Sequence, residues 1–366
     1  MANTTRSDAV HRPMPRSRRS ALWQCARRVA ARSFVAVSVL YGTGITLFLV
    51  LKITVGERWA LIGLFDSFLP LFLLPSLALL PVCALWRRWR LVALMTFAAL
   101  TFGIGYGTTF VPRPPNTAAE GPATSILTYN VHSESQQFTA MIEVIRSANA
   151  DIVALQELSP AAADLIMQEL IRAYPYQALH PNVINPIWGQ GVLSRYPIRS
   201  DEYWHISLGH QRVTIDVRGT QLTLYNTHPI HPFLIREGRP YDPAPRHAEI
   251  VEVLNRAAND SGPVIILGDF NMSDQTDDYR QITERYRDTY REVGWGLGFT
   301  FPDFSHPNAA PAEVQSMTWP VPLVARLDYI FHSSAMESME ARVWPTSGGS
   351  DHRPLFARLA FVNGSP

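Results

Sequence analysis

Three uncharged apolar runs near the N-terminus constrain this 366-residue chain more than any other feature. They span residues 33–51, 67–86 and 91–111 and contain no Asp, Glu, Lys or Arg. At ~1.5 Å rise per residue, a helix over the first run reaches ~28 Å, close to the ~30 Å hydrocarbon core of a bilayer. The second run contains three prolines, which membrane helices tolerate better than soluble ones. We therefore predict a transmembrane anchor of three helices over residues 33–111.

The distribution of arginines predicts the orientation of this anchor. Residues 1–32 form a basic segment with eight arginines, and Arg87, Arg88 and Arg90 separate the second and third runs. Positive residues stay on the cytoplasmic side, so both segments are predicted to be inside. The long basic leader and the two further runs favour an uncleaved anchor over a signal peptide. Three crossings of the cytoplasmic membrane then place the soluble part of the chain outside the cytoplasm, after a proline-rich linker at 112–123.

The soluble part, residues 124–366, alternates strand-like and helix-like segments. Several neighbouring strands are joined by short links, which predicts two packed sheets with helices outside. Helices are predicted from Phe138 and over 160–173 and 244–259. Strands are predicted at 126–131, 151–157, 191–195, 213–217, 222–228, 263–271, 326–331 and 354–361.

The cysteines and the net charge exclude several classes of function. Cys25 and Cys83 lie in or beside the apolar third, so residues 124–366 contain no cysteine. A disulfide framework, a cysteine zinc site and a cysteine nucleophile are therefore excluded for this domain. The net charge of +1 does not identify a partner.

Polar side chains cluster at the ends of the predicted strands. A single Asp or Asn at such a place is usually a turn former. Here such residues follow one predicted strand after another along the whole domain. Strand ends at one rim of a sandwich can converge on one pocket. These residues are Asn130, Glu157, His228, Asp269, Asn271, Asp351 and His352.

This ordered series resembles the endonuclease/exonuclease/phosphatase superfamily, in particular its bacterial membrane-anchored members. The resemblance covers roughly residues 124–361 and implies a four-layer α/β sandwich of the α+β class, with two packed mixed β-sheets and flanking helices. GDFN and SDH together are the most specific pieces. The matching segments are TYN at 128–130, LQE at 155–157, LSRYPI at 193–198, NTH at 226–228, GDFN at 268–271, LDYIF at 327–331 and GSDH at 349–352.

The resemblance implies a metal site built on Glu157. A carboxylate is a hard oxygen ligand suited to Mg²⁺ or Mn²⁺. Glu157 is expected to be the principal ligand, with Asn130 and Asp351 completing or supporting the site. Asp269 is expected to orient or deprotonate the attacking water, and Asn271 to hold the same region through its amide.

The resemblance also assigns the histidines. His352 is expected to contact the phosphate, with Asp328 fixing its tautomer and favouring its charged form. His228 resembles a second histidine that serves the phosphate or the leaving group. In deoxyribonucleases a glutamate supports that histidine, but the segment SLGHQRV at 207–213 contains none. The partner of His228 therefore stays open.

Arg246 follows the THP segment and a proline-rich loop, and is a candidate contact for a substrate phosphate, although a solvated helix arginine is the commoner case. The leading hypothesis is a phosphodiesterase or phosphatase acting on a lipid headgroup, a nucleotide or nucleic acid. One alternative is a nuclease acting on extracytoplasmic DNA or RNA. Another is a catalytically inactive binding module. The lipid bilayer is the expected partner of the N-terminal helices.

Overall fold

The computed structural model describes residues 16–111, 121–233, 241–305 and 322–362. The basic segment up to residue 15 and residues 112–120 of the predicted linker therefore lie outside the described residues. The chain divides into two compact units. One comprises residues 1–49 and 73–101, and the other comprises Val50–Phe72 and Phe102–Pro366. The second unit therefore groups residues 50–72 and 102–111 of the apolar third with the soluble part, and the predicted domain boundaries stay a prediction.

The apolar third of the chain is helical. Its helices are α1 (Arg16–Thr54), α2 (Ala60–Asp66), α3 (Leu69–Leu85) and α4 (Trp89–Tyr106), with short 3₁₀ turns at Gly56–Arg58 and Gly107–Phe110. Two stretches, Trp23–Thr54 and Trp89–Phe110, are long and apolar enough to cross a membrane. The middle candidate is the pair α2 and α3, which is bent by 64°. The third crossing therefore stays a prediction.

The soluble part folds into two sheets of six strands each, and we call it the sandwich domain. Its first sheet contains β1 (Ala123–Asn130), β2 (Ile152–Gln156), β3 (Tyr176–His180), β4 (Gln190–Ser194), β11 (Met336–Val343) and β12 (Leu355–Phe361). Their order is β11-β12-β1-β2-β4-β3. β1 and β2 are parallel, and the other neighbours are antiparallel. The first sheet is therefore mixed.

The second sheet repeats this plan. It contains β5 (Ile198–His205), β6 (Gly209–Val217), β7 (Thr220–Thr227), β8 (Val264–Asp269), β9 (Arg287–Asp288) and β10 (Asp328–His332). Their order is β5-β6-β7-β8-β10-β9, with β7 and β8 parallel and the other pairs antiparallel. The remaining helices are α5 (Phe138–Ala148), α6 (Pro160–Leu170), α7 (Ala244–Ala257), α8 (Asp277–Thr283) and α9 (Thr289–Val293), with a 3₁₀ turn at Pro186–Trp188.

Three apolar clusters hold these layers together. One lies between the sheets and includes Ile126 and Ile152 from the first sheet and Leu224 and Ile265 from the second. A second cluster joins the first sheet to α5 and α6, and a third joins the second sheet to α7 and α8. Burial of apolar area stabilises such layers by roughly 25 cal/mol per Å². The four-layer sandwich expected from the sequence is therefore confirmed.

Strand alternation directs the polar strand ends into the space between the sheets. Successive side chains in a strand point to opposite faces. Ile126 packs between the sheets and Leu127 packs toward the helices, so Asn130, four residues after Ile126, faces inward. By the same alternation along their strands, Asp269 and Asp328 also face inward. They are direct partners in the antiparallel pairing of β8 and β10. One rim of the sandwich therefore collects the candidate side chains.

Most predicted elements are present, with ends shifted by a few residues. Strands β3, β5, β9 and β11 and helices α8 and α9 were not predicted. β5 is largely exposed along its length, and β11 alternates irregularly across a bulge between Ser338 and Glu340. Such strands are ordered by pairing with neighbours and carry little apolar periodicity of their own.

Gly268 allows β8 to pass close to β7, which makes it a test of the packing at this rim. Its φ is +138°, and a Cβ there would lie 1.9 Å from the carbonyl oxygen of Thr227. Gly268→Ala is expected to destabilise the domain by about 2–4 kcal/mol through strain and overpacking. The measurement is the unfolding free energy of the purified chain in detergent.

The matched control for this change is Gly219→Ala. Gly219 also has a positive φ, +92°, but a Cβ there meets no atom within 4 Å. It should therefore cost only about 1 kcal/mol of backbone strain. Equal losses in the two variants would contradict the close approach of β8 to Thr227.

Candidate active site

The centre of the site is an amide that joins two carboxylates. Asn130, at the end of β1, donates from Nδ2 to Glu157 Oε1 at 2.9 Å and to Asp269 Oδ2 at 3.0 Å. Its own Oδ1 accepts the backbone N–H of His132 at 2.9 Å. Asn130 is buried, so its orientation is set by these bonds. The structure therefore brings Asn130, Glu157 and Asp269 together, as the sequence predicted.

Glu157 reaches this centre because the chain turns sharply after β2. Its φ is +57°, a left-handed conformation that costs a non-glycine residue energy and is often found at functional sites. Its Oε2 accepts both the N–H and the hydroxyl of Ser133 at 3.0 Å. Burial alone would raise the pKa of Glu157, but His228 and the donors on Ser133 and Asn130 outweigh it and lower the pKa. Glu157 is therefore held as a carboxylate.

Asp269 and Asn271 form a second turn at the end of β8. Asn271 has a φ of +49°, and its N–H donates to Asp269 Oδ1 at 2.9 Å. Its side-chain amide donates to the carbonyl oxygen of Pro229 at 3.0 Å. Asn271 therefore fixes one oxygen of Asp269 and ties this turn to the residue after His228, while Asp269 Oδ2 accepts from Asn130 and lies near both imidazoles.

His352 and Asp328 form a buried pair beside Asp269. His352 Nδ1 lies 2.9 Å from Asp328 Oδ2, and His352 Nε2 lies 3.5 Å from Asp269 Oδ2. Burial would lower the pKa of His352, but Asp328 and Asp269 outweigh it and hold that pKa well above its usual value. Asp328 is fully buried, and burial raises the pKa of its carboxyl. The expected pairing is present, and it points Nε2 of a charged imidazole toward Asp269.

His228, the residue after β7, faces the carboxylates of Asp269 and Glu157. Its Nε2 lies 3.6 Å from Asp269 Oδ2 and 3.9 Å from Glu157 Oε1. Among the described residues no hydrogen-bond partner reaches its buried Nδ1. The sequence left the partner of His228 open, and no described carboxylate fills that place. The chain nonetheless supplies a glutamate nearby, from the predicted helix at 244–259, although the sequence analysis did not connect it with His228.

That glutamate is Glu249 of α7, which supports the loops around His228. Its Oε1 accepts the N–H groups of Ser207 and Leu208 at 2.7 and 2.9 Å, and its Oε2 accepts the N–H of Ile230 at 2.6 Å. His210 Nε2 lies 3.4 Å away. Glu249 is fully buried. The carboxylate therefore fixes backbone two residues beyond His228 without touching the pocket.

Asp351 is connected to the centre through a histidine that the sequence analysis did not single out. His132 Nδ1 lies 2.7 Å from Asp351 Oδ1. The hydrogen bond to Asp351 raises the pKa of His132, although burial opposes it. The signal available in the sequence was proximity alone, since His132 lies two residues after Asn130. Asp351 is thus connected to Asn130 only indirectly, through His132.

Arg246 has a different environment from the expected substrate contact. It is 1% exposed. Its Nε donates to Asp278 Oδ2 at 2.8 Å, its Nη1 to the carbonyl oxygen of Asn271 at 3.0 Å and its Nη2 to Glu57 Oε2 at 3.3 Å. Its guanidinium is therefore engaged within the protein, and we do not carry it forward as a substrate ligand.

The donor set of this pocket fits a hard divalent cation. Glu157 and Asp269 present two carboxylates to one amide, and Mg²⁺ prefers oxygen ligands and retains several waters. A second grouping, Asp269, Asp328 and His352, brings one ligand atom from each residue within 4.8 Å of one another. In that grouping the His352–Asp328 hydrogen bond already uses one ring nitrogen.

Comparison with known families and structures agrees with this arrangement. The sequence profile of the Endonuclease/Exonuclease/phosphatase family matches residues 127–352, which include every candidate residue from Asn130 to His352. No curated protein sequence matches the chain.

Solved structures of similar fold cover most of the sandwich domain. D. rerio TDP2 complexed with a single strand DNA product is 16% identical, with a TM-score of 0.52 over 65% of this chain and 98% of that one. An endonuclease/exonuclease/phosphatase family protein from Leptotrichia buccalis C-1013-b is 20% identical, with a TM-score of 0.50 over 65% and 100%. The corresponding protein of Bacteroides vulgatus is 18% identical, with a TM-score of 0.50 over 66% and 99%. At these identities the likeness shows the fold.

The support of the His228 loops can be tested with Glu249→Gln. Burial would raise the pKa of Glu249, but His210 and the N–H groups of Ile230 and Leu208 outweigh it and lower the pKa. The ionised carboxylate of Glu249 therefore contributes to the free energy of unfolding at pH values above the ordinary glutamate pKa of 4.5. This contribution is lost as the pH falls through the lowered pKa. The variant should lose about 2–3 kcal/mol of unfolding free energy at pH 7.

Unfolding should be measured on the purified chain at pH 7 and under acid. Wild-type protein should lose more stability on acidification than the variant does. Glu252→Gln, on the same helix but exposed, is the control and should change stability little. Identical pH profiles for Glu249→Gln and wild type would contradict the assigned contacts.

Proposed function

Because the chain belongs to the endonuclease/exonuclease/phosphatase family, we propose that it is a membrane-anchored, divalent-metal-dependent phosphoesterase. It hydrolyses a phosphodiester or phosphomonoester by in-line attack of water. The observation that carries this proposal is the Asn130 amide that joins Glu157 to Asp269, with two imidazoles facing Asp269. Hydrolysis of a phosphoester needs charge neutralisation, an aligned water and stabilisation of the leaving oxygen.

Glu157 is the proposed principal ligand of Mg²⁺ or Mn²⁺, supported by Asn130 and by Asp351 through His132. A bound cation supplies charge neutralisation on the phosphoryl oxygens. We place the cation on the Glu157 side of the pocket because the Asp328–His352 pair is committed to its own hydrogen bond.

Asp269 accepts the proton of the attacking water or orients that water. One of its oxygens is fixed by Asn271, and the other, which accepts from Asn130 and lies near both imidazoles, is the one proposed to face the substrate. His352 donates from Nε2 to a phosphoryl oxygen, and Asp328 keeps that nitrogen protonated by holding Nδ1. His228 Nε2 lies 3.6 Å from the same oxygen of Asp269 and serves the phosphate or the leaving group.

The likeness to a protein solved with a single strand DNA product keeps nucleic acid among the candidate substrates. Binding of a nucleic acid polyanion falls steeply with salt, whereas a small or lipid substrate responds weakly. A binding module without activity is disfavoured, since each candidate from Asn130 to His352 is present and six of these side chains form one network of contacts, which Asn271 joins through its backbone N–H.

We infer that the sandwich domain lies outside the cytoplasm. Two arguments support three crossings over two. If the bent pair α2–α3 only re-entered the membrane, the arginines at 87–90 would lie outside, against the usual bias. In addition, Glu57 lies between α1 and α2 and bonds Arg246 of the sandwich domain. Both segments must then be on the same side of the membrane, which three crossings allow and two do not.

Hydrolysis of bis-p-nitrophenyl phosphate and p-nitrophenyl phosphate by the full chain in detergent tests the activity. We expect turnover with Mg²⁺ or Mn²⁺ and none with excess chelator. Preference for the diester directs attention to nucleic acids and phospholipids, and preference for the monoester to a phosphatase. Wild-type protein that binds metal but hydrolyses no phosphoester would contradict the proposal.

Variants of the same assay separate the roles of the residues. Glu157→Gln should weaken activation by metal, because one anionic ligand is lost. Asp269→Asn and His352→Ala should each lower kcat by about 10²–10⁴-fold with the fold intact. Metal activation that is unchanged in Glu157→Gln would remove Glu157 from the metal site.

Alkaline phosphatase fusions test the location of the domain. A fusion after residue 120 should be active, because this enzyme folds only outside the cytoplasm. The matched control is a fusion after Trp86, between α3 and α4, which should be inactive. The reverse pattern would overturn the three-crossing topology.

A further inference from the structure

The segment between α1 and α2 forms hydrogen bonds with the sandwich domain. Glu57, in this segment, is nearly buried, with 8% of its side chain exposed. Its Oε2 accepts from Arg246 Nη2 at 3.3 Å and from the Tyr241 hydroxyl at 3.1 Å, and its Oε1 accepts the N–H of Asp277 at 2.7 Å. One carboxylate therefore takes three donors from α7, α8 and the loop before α7.

Arg246 carries this contact into the candidate active site. Its Nη1 donates to the carbonyl oxygen of Asn271 at 3.0 Å. Asn271 is the left-handed residue whose N–H fixes Asp269 Oδ1. A chain of direct bonds therefore runs from Glu57 through Arg246 and Asn271 to Asp269.

Two more residues outside the sandwich, Lys52 and Tyr106, bond the loop that follows Asn271. Lys52, which is paired with Asp66, lies 3.3 Å from both the carbonyl and the side-chain oxygen of Gln275. The side-chain amide of Gln275 donates to the Tyr106 hydroxyl at 2.7 Å. Asp274 accepts from the same hydroxyl at 3.2 Å. Residues near the ends of α1 and α4 therefore form hydrogen bonds with the loop Met272–Thr276.

These contacts are an addition to the fold shared with similar structures. The solved proteins of Leptotrichia buccalis and Bacteroides vulgatus are covered almost completely by 65–66% of this chain. The family profile begins at residue 127, well after Glu57 and Tyr106. The residues that bond this loop therefore come from a part of the chain that precedes the region matched by the family profile.

We propose that Glu57 is a positioning residue for the active site, so that the membrane-proximal segment completes the catalytic domain. The part of this inference that concerns turnover rests on the proposed phosphoesterase function. Glu57 holds one arm of Arg246, Arg246 holds the carbonyl of Asn271, and Asn271 sets the oxygen of Asp269 that faces away from the pocket. Loss of the Glu57 charge loosens the turn that aims Asp269.

Glu57→Gln in the full chain, in detergent, tests this proposal. Hydrogen exchange of the Phe270–Thr276 amides should quicken about tenfold, the factor for loss of one charged hydrogen bond. Amides of β1 and β2 should be unchanged. With a phosphoester substrate, kcat should fall about tenfold and KM should stay the same, because Glu57 does not touch the pocket. Glu143→Gln, at an exposed helix position, is the matched control and should change neither.

Tyr241→Phe provides a second variant if Glu57→Gln folds poorly. It removes only the hydroxyl that donates to Glu57 and should produce smaller changes in the same direction. Unchanged exchange in both variants would overturn the proposal. Faster exchange with unchanged kcat would also overturn it, since the contact would then be structural only. If the wild-type chain hydrolyses no phosphoester, the proposed function fails separately, and the exchange rates decide whether Glu57 holds the turn.

Discussion

Two carboxylates bound to one amide are the arrangement on which the rest of the site depends. Glu157 and Asp269 both accept from Asn130 Nδ2, so two like charges are held close together in a mostly buried pocket. Such proximity is unfavourable unless cationic groups or hydrogen-bond donors compensate it. His228 and His352 face Asp269 from two sides, and Ser133 donates twice to Glu157. The chemistry proposed here uses this concentration of negative charge to hold a divalent cation.

The same physical demand explains the buried arginines behind the site. A buried charge is costly unless it is paired and hydrogen-bonded. Arg246 is enclosed by Asp278, Glu57 and a carbonyl oxygen. Arg326 is held by Asp288 at 2.7 Å, and its guanidinium lies 4.5 Å from the centre of the Tyr329 ring. Each arginine binds groups that are far from it in the sequence, so these pairs fix the relative positions of the segments that carry them.

Much of the sandwich could be predicted from local sequence patterns. The strands that end in Asn130 and Asp269 are buried on both faces, because each sheet packs against the other sheet on one face and against helices on the other. Strands such as β5 lack that signal, since their side chains are largely exposed. Arg246 was predicted as a candidate substrate contact because it follows the THP segment and a proline-rich loop, as in the proteins that the chain resembles. Its burial depends on Glu57 and Asp278, which are far from it in sequence.

The sequence by itself determined the apolar helices, most of the strand segments and the identity of the residues at the rim, because periodicity and composition are local properties. It also determined the pairing of His352 with Asp328, through the resemblance of its motifs. Only the tertiary structure decided that Asp351 bonds His132, that Glu249 supports the loops around His228 and that Glu57 reaches Arg246. These contacts join residues widely separated in sequence, and burial and charge pairing select them only after the sheets and helices have packed.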